Sequence, residues 1–302
     1  MTAGAGTRET EWTVGRLLTW TTDYLAAQGL AEARLATEVL LAHAAGCRRI
    51  DLYARFEQVP APDKVQRFRD LIRRAAAHEP VAYLVGEKEF FSLSFLVTPD
   101  VLIPRPETET LVEAILDLWA RAGLKEPVFL DVGTGSGCIA VTLLTHVPGA
   151  RAVATDVSAA ALNVAALNAE RHGVSGRLTC AHADRLDLAA DLIPNGGFDA
   201  LLSNPPYVAA DDIETLDVAV RKYEPMQALS DGADGLSFFR CLAEEAPRLL
   251  KPNGVLVVEI ADGREMEVRE IVRRGGRLVH RSTLKDRVVG RERIIVFERP
   301  AR

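Results

Sequence analysis

The tetrad Asn204-Pro205-Pro206-Tyr207 is the most specific chemical signal in the chain. An asparagine side chain offers an amide oxygen, and Pro205 offers a carbonyl while carrying no competing N–H of its own. Two acceptors side by side match the two N–H bonds of a planar NH₂ group. Engaging both draws the nitrogen lone pair out of conjugation and toward an electrophile. Tyr207 is placed to cover the flat face of such a substrate by stacking. Asn204, Pro205 and Tyr207 are therefore candidate catalytic residues, and Asn204, Pro205, Pro206 and Tyr207 together form the candidate substrate-binding segment. A rigid turn with an Asx-type cap is the plain structural alternative.

A second candidate is Asp131-Val132-Gly133-Thr134-Gly135-Ser136-Gly137. Glycines let a backbone turn tightly and approach a ligand that side chains would exclude. Asp156 follows roughly 20 residues further on, where a carboxylate can accept both hydroxyls of a ribose. Together these indicate an adenosine-containing ligand, although a helix-packing glycine turn with an N-terminal helix carboxylate gives the same pattern. Asp131 turns the expectation away from a nucleotide, because a carboxylate repels a pyrophosphate but accepts an ammonium. S-adenosylmethionine has an adenosine, an ammonium and a sulfonium and no phosphate. Asp184 is a candidate acceptor for the adenine amino group, with a solvated loop aspartate as the alternative. No histidine falls in these motifs, and none is assigned a catalytic role.

These residues need a scaffold that brings strand ends together. From Val128 onward, short β-branched runs alternate with helical stretches: Val128–Leu130, Arg151–Thr155, Leu178–Ala181, Phe198–Ser203 and Gly254–Ile260 read as strands. Repeated βα units imply a mostly parallel sheet with helices on both faces. Ligands of such sheets bind beyond the carboxyl ends of the strands, which places the glycine loop and the Asn-Pro-Pro-Tyr tetrad side by side. Two late strands, near Arg277–His280 and Arg293–Phe297, lack an intervening helix and are expected to be antiparallel. The stretch Val208–Asp234 is far longer than the ~2–6 residues usual between a strand and its helix. It is expected to carry its own short helix and to contribute to a binding site, with a surface insertion as the alternative.

Upstream the texture differs. Val14, Leu17, Leu18, Thr21, Tyr24 and Leu25 follow a helical stripe that Gly29 ends, and two further stripes follow before Pro80. Residues 1–80 thus read as a small helical domain. Residues 81–104 form a linker in which Glu89–Val97, with a turn near Ser92, suits a β-hairpin. Residues 105–302 form the α/β domain, opened by Pro106 in a first helical turn.

Composition bounds the function. The 302-residue chain is 48% hydrophobic and 26% charged, ordinary for a globular protein of two domains. No apolar stretch approaches the ~20 residues of a membrane span, and the N-terminus has no apolar signal-peptide core. Cysteines 47, 138, 180 and 241 are too dispersed for a C-x-x-C pair or a zinc site, so no metal is expected and a reducing cytoplasm is. The net charge is −6, with the first 80 residues nearly balanced and the acid excess beyond them. Neither part is the basic platform that duplex nucleic acid demands, which disfavours direct nucleic-acid binding.

The tetrad in this context resembles the amino-group methyltransferases, whose DNA, RNA and protein members all present a planar NH₂ to it. Two upstream blocks separate them: Glu79-Pro-Val-Ala-Tyr-Leu-Val-Gly86, and Val101-Leu-Ile-Pro-Arg-Pro-Glu-Thr-Glu-Thr-Leu-Val112. With Phe90, Leu93 and Phe95 between them, this combination is similar to the PrmC/HemK family, which methylates glutamine N5 in peptide chain release factors. The resemblance covers about residues 12–300. It implies a class I, Rossmann-like S-adenosylmethionine-dependent methyltransferase domain behind a helical domain that grips the release factor. The methyl acceptor would be the side-chain amide of the glutamine in a Gly-Gly-Gln motif of class-I release factors, S-adenosylhomocysteine the coproduct, and the enzyme a cytoplasmic monomer. By motif match, Asp131, Gly133, Thr134, Gly135, Ser136, Gly137, Asp156, Asp184, Arg185, Asn204 and Arg105 would line the cofactor site. Tyr223-Glu224-Pro225 resembles the family's segment after the long loop.

Two departures stand out. Arg185 occupies a position where some members carry an aromatic residue, and Glu259-Ile-Ala-Asp-Gly263 replaces a frequent Glu-x-Gly. The alternatives are an RNA or DNA amino methyltransferase and a non-catalytic binding module that keeps the fold; a dehydrogenase would leave Asn204–Tyr207 without a role.

Overall fold

The computed structural model of the chain describes residues 11–301. They divide into a helical unit ending at Gly86 and an α/β unit beginning at Glu87.

The helical unit comprises α1 (Val14–Ala27), α2 (Ala33–Ala45), α3 (Arg49–Ala54), α4 (Pro62–Ala76) and α5 (Val81–Val85). The expected stripe on α1 is buried at Val14, Leu17, Leu18, Thr21 and Leu25, and Thr13 caps the helix by accepting from the Arg16 N–H at 3.3 Å. This unit runs past Pro80 because α5 places Leu84 in the same apolar cluster as Leu18, Leu40 and Phe68.

The α/β unit opens with a hairpin of β1 (Glu87–Phe90) and β2 (Leu93–Leu96). Its two-residue turn holds Phe91 and Ser92 both at positive φ, the geometry that matches the twist of paired strands. A 3₁₀ turn at Pro106–Thr108 leads into α6 (Glu109–Ala122). Then follow β3 (Val128–Val132), α7 (Cys138–His146), β4 (Arg151–Asp156), α8 (Ala159–Arg171), β5 (Leu178–His182) and β6 (Phe198–Ser203). Beyond the long segment, which carries α9 (Val218–Tyr223) and α10 (Met226–Leu229), come α11 (Ser237–Leu249), β7 (Leu250–Glu259), α12 (Glu265–Gly275), β8 (Val279–Lys285) and β9 (Glu292–Glu298).

The sheet order is β5-β4-β3-β6-β7-β9-β8. Strands β3 to β7 pair in parallel, and β9 pairs antiparallel with both β7 and β8. The penultimate strand starts two residues later than its sequence reading, at Val279, because Arg277 and Leu278 complete the turn out of α12. Strand alternation supplies both cores. Phe129 and Val296 face the hairpin and helices α6 to α8, whereas Leu130 and Phe297 face α11 and α12. The carboxyl ends of β3, β4 and β6 thereby meet at one rim, the place where an open parallel sheet binds its ligand.

Candidate active site

The glycine loop leaves β3 and enters α7 under the control of β4. The Gly133 and Thr134 N–H groups donate to Thr155 O at 2.8 and 2.9 Å, so the loop folds over the end of the neighbouring strand. Gly135 has φ +55, and a Cβ on it would meet no protein atom within 4 Å. The loop backbone is thus bare on its cavity side.

Asp156, at the end of β4, holds that loop. Its Oδ2 accepts from the Gly135 N–H at 2.9 Å and its Oδ1 from the Ser158 N–H at 2.9 Å. Each oxygen keeps a further lone pair, and Asp156 lines a cavity of about 240 Å³. Thr134, Asp184, Arg185 and Asn204 stand on the same wall, as do Arg105 and Pro206. The structure therefore assembles most of the expected cofactor residues around one space.

Four expected residues sit elsewhere. Gly137 is off the wall and packs against α8, where a Cβ on it would stand 3.1 Å from Ala165 Cβ. Asp131 is fully buried behind the loop, where its Oδ2 accepts from the Thr134 hydroxyl at 2.7 Å and its Oδ1 has no hydrogen bond among the described residues. Burial pushes its carboxyl up to about 7, against the pull of Thr134. It shapes the loop from behind and is not on the cavity wall. Pro205 is buried and off that wall as well. Tyr207 is likewise absent from that wall. It packs against the α11 side of the core, and its hydroxyl donates to Glu259 Oε1 at 3.1 Å. A phenol with one buried acceptor in reach is held by it, so the hydroxyl of this tyrosine is anchored in the core.

The asparagine of the tetrad is anchored through its amide nitrogen. Asn204 Nδ2 donates to Thr108 Oγ1 at 3.2 Å, and the Thr108 hydroxyl donates to Glu259 Oε2 at 2.6 Å. The Asn204 side-chain oxygen has no protein partner among the described residues and belongs to a cavity-lining residue. Glu259 and Thr108 are each 1% exposed, so this chain of groups is shielded from water. Burial raises the Glu259 pKa, while Thr108, Tyr207 and Arg293 pull it back. Burial also pushes the Tyr207 phenol up, which keeps it a donor.

The long segment closes the other side. Glu224 accepts from Arg105 Nη2 at 2.5 Å and from the Ile103 N–H at 3.1 Å, tying the segment to the Ile-Pro-Arg-Pro stretch. Its far end is organised by Asp231, whose carboxylate accepts the Ala233, Gly235 and Ser237 N–H groups. The segment is structured, as its length implied, and Gln227 and Ser230 join the cavity wall. Phe238, at the start of α11, lies under the Arg185 guanidinium, 5.9 Å from carbon to ring centroid. Arg185 itself has φ +53.

The donor set fits a cationic adenosyl ligand. Asp100, Asp156, Asp184 and Asp231 line the cavity against Arg105 and Arg185, and Arg105 is already committed to Glu224. A polyphosphate would meet surplus acid there, whereas a sulfonium and an ammonium would meet their counter-charge. The bare Gly135 backbone leaves room for the ligand, and Asp156 has acceptor capacity left for a diol. No group of three or more His, Cys, Asp or Glu side chains suited to a metal ion occurs among the described residues. Sequence reasoning gave no role to Glu259, Phe238 or Gln227. Glu259 carried one signal, a lone acidic residue directly after the apolar run Val255–Val258.

Comparison with known proteins gives the same picture. Residues 16–86 match the PrmC N-terminal domain and residues 108–222 the methyltransferase small domain. The release factor glutamine methyltransferase of Rhodopirellula baltica is 39% identical over 293 residues, covering 96% of this chain and 98% of that protein. The one from Geobacter sulfurreducens is 42% identical over 265 residues, covering 88% and 90% respectively. Among solved structures, a methyltransferase from Pyrococcus furiosus superposes with a TM-score of 0.51 at 20% identity, over 78% of this chain and 99% of that one, a likeness of fold.

Proposed function

Because the chain belongs to the release factor glutamine methyltransferase family, we propose that it methylates the side-chain amide nitrogen of the glutamine in a Gly-Gly-Gln motif of class-I peptide chain release factors. It is an S-adenosylmethionine-dependent methyltransferase acting on release factors. The glutamine, the residues that hold it and the monomeric state are the finer parts of the proposal.

The observation that carries it is the orientation of Asn204, whose nitrogen is occupied by Thr108 while its oxygen is left to the cavity. S-adenosylmethionine, when bound, supplies an electrophilic methyl group on a sulfonium. Asp156 takes the ribose hydroxyls, and the bare backbone at Gly133 and Gly135 leaves space for the ligand. Asn204 Oδ1 accepts an N–H of the glutamine amide, lowering the conjugation of that nitrogen and aiming its lone pair. The Pro205 carbonyl is the proposed second acceptor, and Pro206 is the member of the pair on the wall. Tyr207 stiffens the tetrad through Glu259.

Orientation of this kind can supply as much as ~7–11 kcal/mol, so the reaction asks for no strong general base at the nitrogen. The amide loses its proton after methylation, when the nitrogen is acidic. The sulfonium charge vanishes along the reaction, so the acidic wall acts in binding the cofactor rather than in stabilising the transition state. The helical unit is proposed to grip the release factor, and the cytoplasm is the compartment this reading entails.

The test is transfer of labelled methyl from S-adenosylmethionine to a purified class-I release factor, beside the same factor with its motif glutamine changed to alanine. Label on the intact factor alone, mapped to the glutamine by mass spectrometry, is the expected result. Equal label on both would move the acceptor elsewhere.

A further inference from the structure

We infer that Glu259, acting through Thr108, is the positioning residue that fixes which end of the Asn204 side chain faces the substrate. The inference rests on the reading of Asn204 as the group that holds the glutamine amide.

An asparagine amide is nearly symmetric in shape, and its two ends have opposite hydrogen-bonding character. Turned by half a rotation, Asn204 would present an NH₂ to the substrate's NH₂, and donor would face donor. Something must therefore decide between the two orientations. Thr108 alone cannot, because a hydroxyl both donates and accepts. Glu259 supplies the asymmetry: an ionised carboxylate only accepts.

Its Oε2 takes the single Thr108 proton at 2.6 Å. The Thr108 oxygen is then left as an acceptor for its other neighbour, at 3.2 Å, and only the nitrogen end of Asn204 can satisfy it. The Asn204 oxygen is thereby turned to the cavity. The second Glu259 oxygen takes the Tyr207 proton at 3.1 Å, so one buried carboxylate sets both ends of the tetrad. Burial is the largest influence on this carboxyl and opposes its ionised form, as does Glu107 on the 3₁₀ turn, whereas the hydrogen bonds from Thr108 and Tyr207 and the charge of Arg293 on β9 favour it.

The polarity is specific to a carboxylate. In Glu259→Gln the side chain carries its own NH₂. When that NH₂ faces Thr108, the threonine proton turns toward Asn204 and the amide reverses. Thr108→Val removes the middle of the relay and leaves the contact between Glu259 and Tyr207 in place.

The experiment measures kcat, KM for a purified release factor and Kd for S-adenosylmethionine in the full-length enzyme. The variants are Glu259→Gln, Thr108→Val, Thr108→Ser, Asn204→Ala and the Thr108→Val/Glu259→Gln double. Each of the first two is expected to lower kcat by roughly ten- to a hundredfold, the scale of a misaligned reacting group, with Kd for the cofactor changed less than about threefold. The double variant should lose no more than the worse single, because both break one relay. Thr108→Ser should recover most of the turnover that Thr108→Val loses.

Multiplicative losses in the double variant, or Thr108→Val with wild-type kcat, would overturn the relay. If Asn204→Ala is inactive in that case, the assignment of Asn204 still stands. Wild-type kcat in Asn204→Ala would instead bring down the reading on which the relay depends. Retained cofactor affinity reports folding in each variant, and Thr108→Val answers the question even if the buried Glu259→Gln does not fold.

Discussion

Asn168, in the last turn of α8, grips Leu96 of the hairpin by both backbone groups: its Oδ1 accepts from the Leu96 N–H at 2.7 Å and its Nδ2 donates to Leu96 O at 3.0 Å. The same Nδ2 donates to Ser136 O in the glycine loop at 2.8 Å. One fully buried amide thus imitates a strand edge for β2 and holds the cofactor loop at the same time. The hairpin that follows the helical unit is tied by this contact to the chemistry of the sheet.

Loss of that amide should be felt in two places. Asn168→Ala leaves two carbonyls and an N–H buried without partners, a destabilisation on the order of 2–4 kcal/mol. A drop in Tm of roughly 5–10 °C is expected, together with weaker cofactor binding. Calorimetric titration with S-adenosylmethionine well below the new Tm checks the second effect. Unchanged affinity would show that the Ser136 contact serves stability alone.

Asn204→Ala removes the proposed acceptor for the substrate amide and no element of the fold. Turnover should fall by about a hundred- to a thousandfold, comparable with deleting one preorganised polar group at a reacting centre. Cofactor affinity should stay within about threefold. A single-turnover methylation assay and a binding titration separate the two. A variant that loses binding in step with turnover would make Asn204 a cofactor residue.

Asp156→Ala should show the reverse pattern. It deletes the expected ribose acceptors and the anchor of the Gly135 N–H, so the Kd for S-adenosylmethionine should rise roughly ten- to a hundredfold. Saturating cofactor should restore much of kcat. Asp156→Asn keeps one carbonyl acceptor and should fall between the two. Equal affinity in the wild type and Asp156→Ala would remove the ribose assignment.

Asp131 makes a prediction about pH. Its folded carboxyl sits at about 7 because it is buried, whereas an unfolded aspartate titrates near ~3.9. Between those values the folded protein holds a proton that the unfolded chain has released. The corresponding stability is complete below about pH 4 and is lost as pH rises through 7. Wild type should therefore lose on the order of 3 kcal/mol relative to Asp131→Asn between about pH 5 and about pH 8 in the absence of cofactor. Melting curves of both proteins across that range test it, and parallel curves would show that Asp131 is ionised throughout.

Gly235 has φ +75, and a Cβ there would stand 2.4 Å from the Tyr207 carbonyl oxygen. Backbone cannot move aside as a flexible side chain can, so Gly235→Ala combines strain with a clash against the tetrad. It should lower Tm and turnover together. A variant with wild-type Tm and kcat would show that the Asp231 turn can yield.

Much of this was legible in the chain itself. Alternation of apolar strands with helical stripes is a local property, so the parallel sheet and the helices around it follow from periodicity. The rule that ligands bind beyond the strand ends then brings Gly135, Asp156 and Asn204 to one rim without coordinates. The positive φ at Gly135 belongs to the same class, since the residue type and the backbone it permits are both local. Even the ordered long segment was foreshadowed by its length.

Tertiary structure decided which way the side chains point and what they touch. Asp131 lies in the same motif as Gly133, but the loop turns over it and buries it. Tyr207 lies in the same tetrad as Asn204, yet its hydroxyl goes to Glu259, which lies 52 residues away in sequence. Thr108 reaches Glu259 across 151 residues, and Arg105 reaches Glu224 across 119. Partners so distant leave no period or spacing to read. A hydrogen bond is directional and short-ranged, so it exists only once the sheet has set both groups within about 3 Å. Sequence thus determined which groups are available for methyl transfer, and packing determined which of them line the cavity and which hold the others in place.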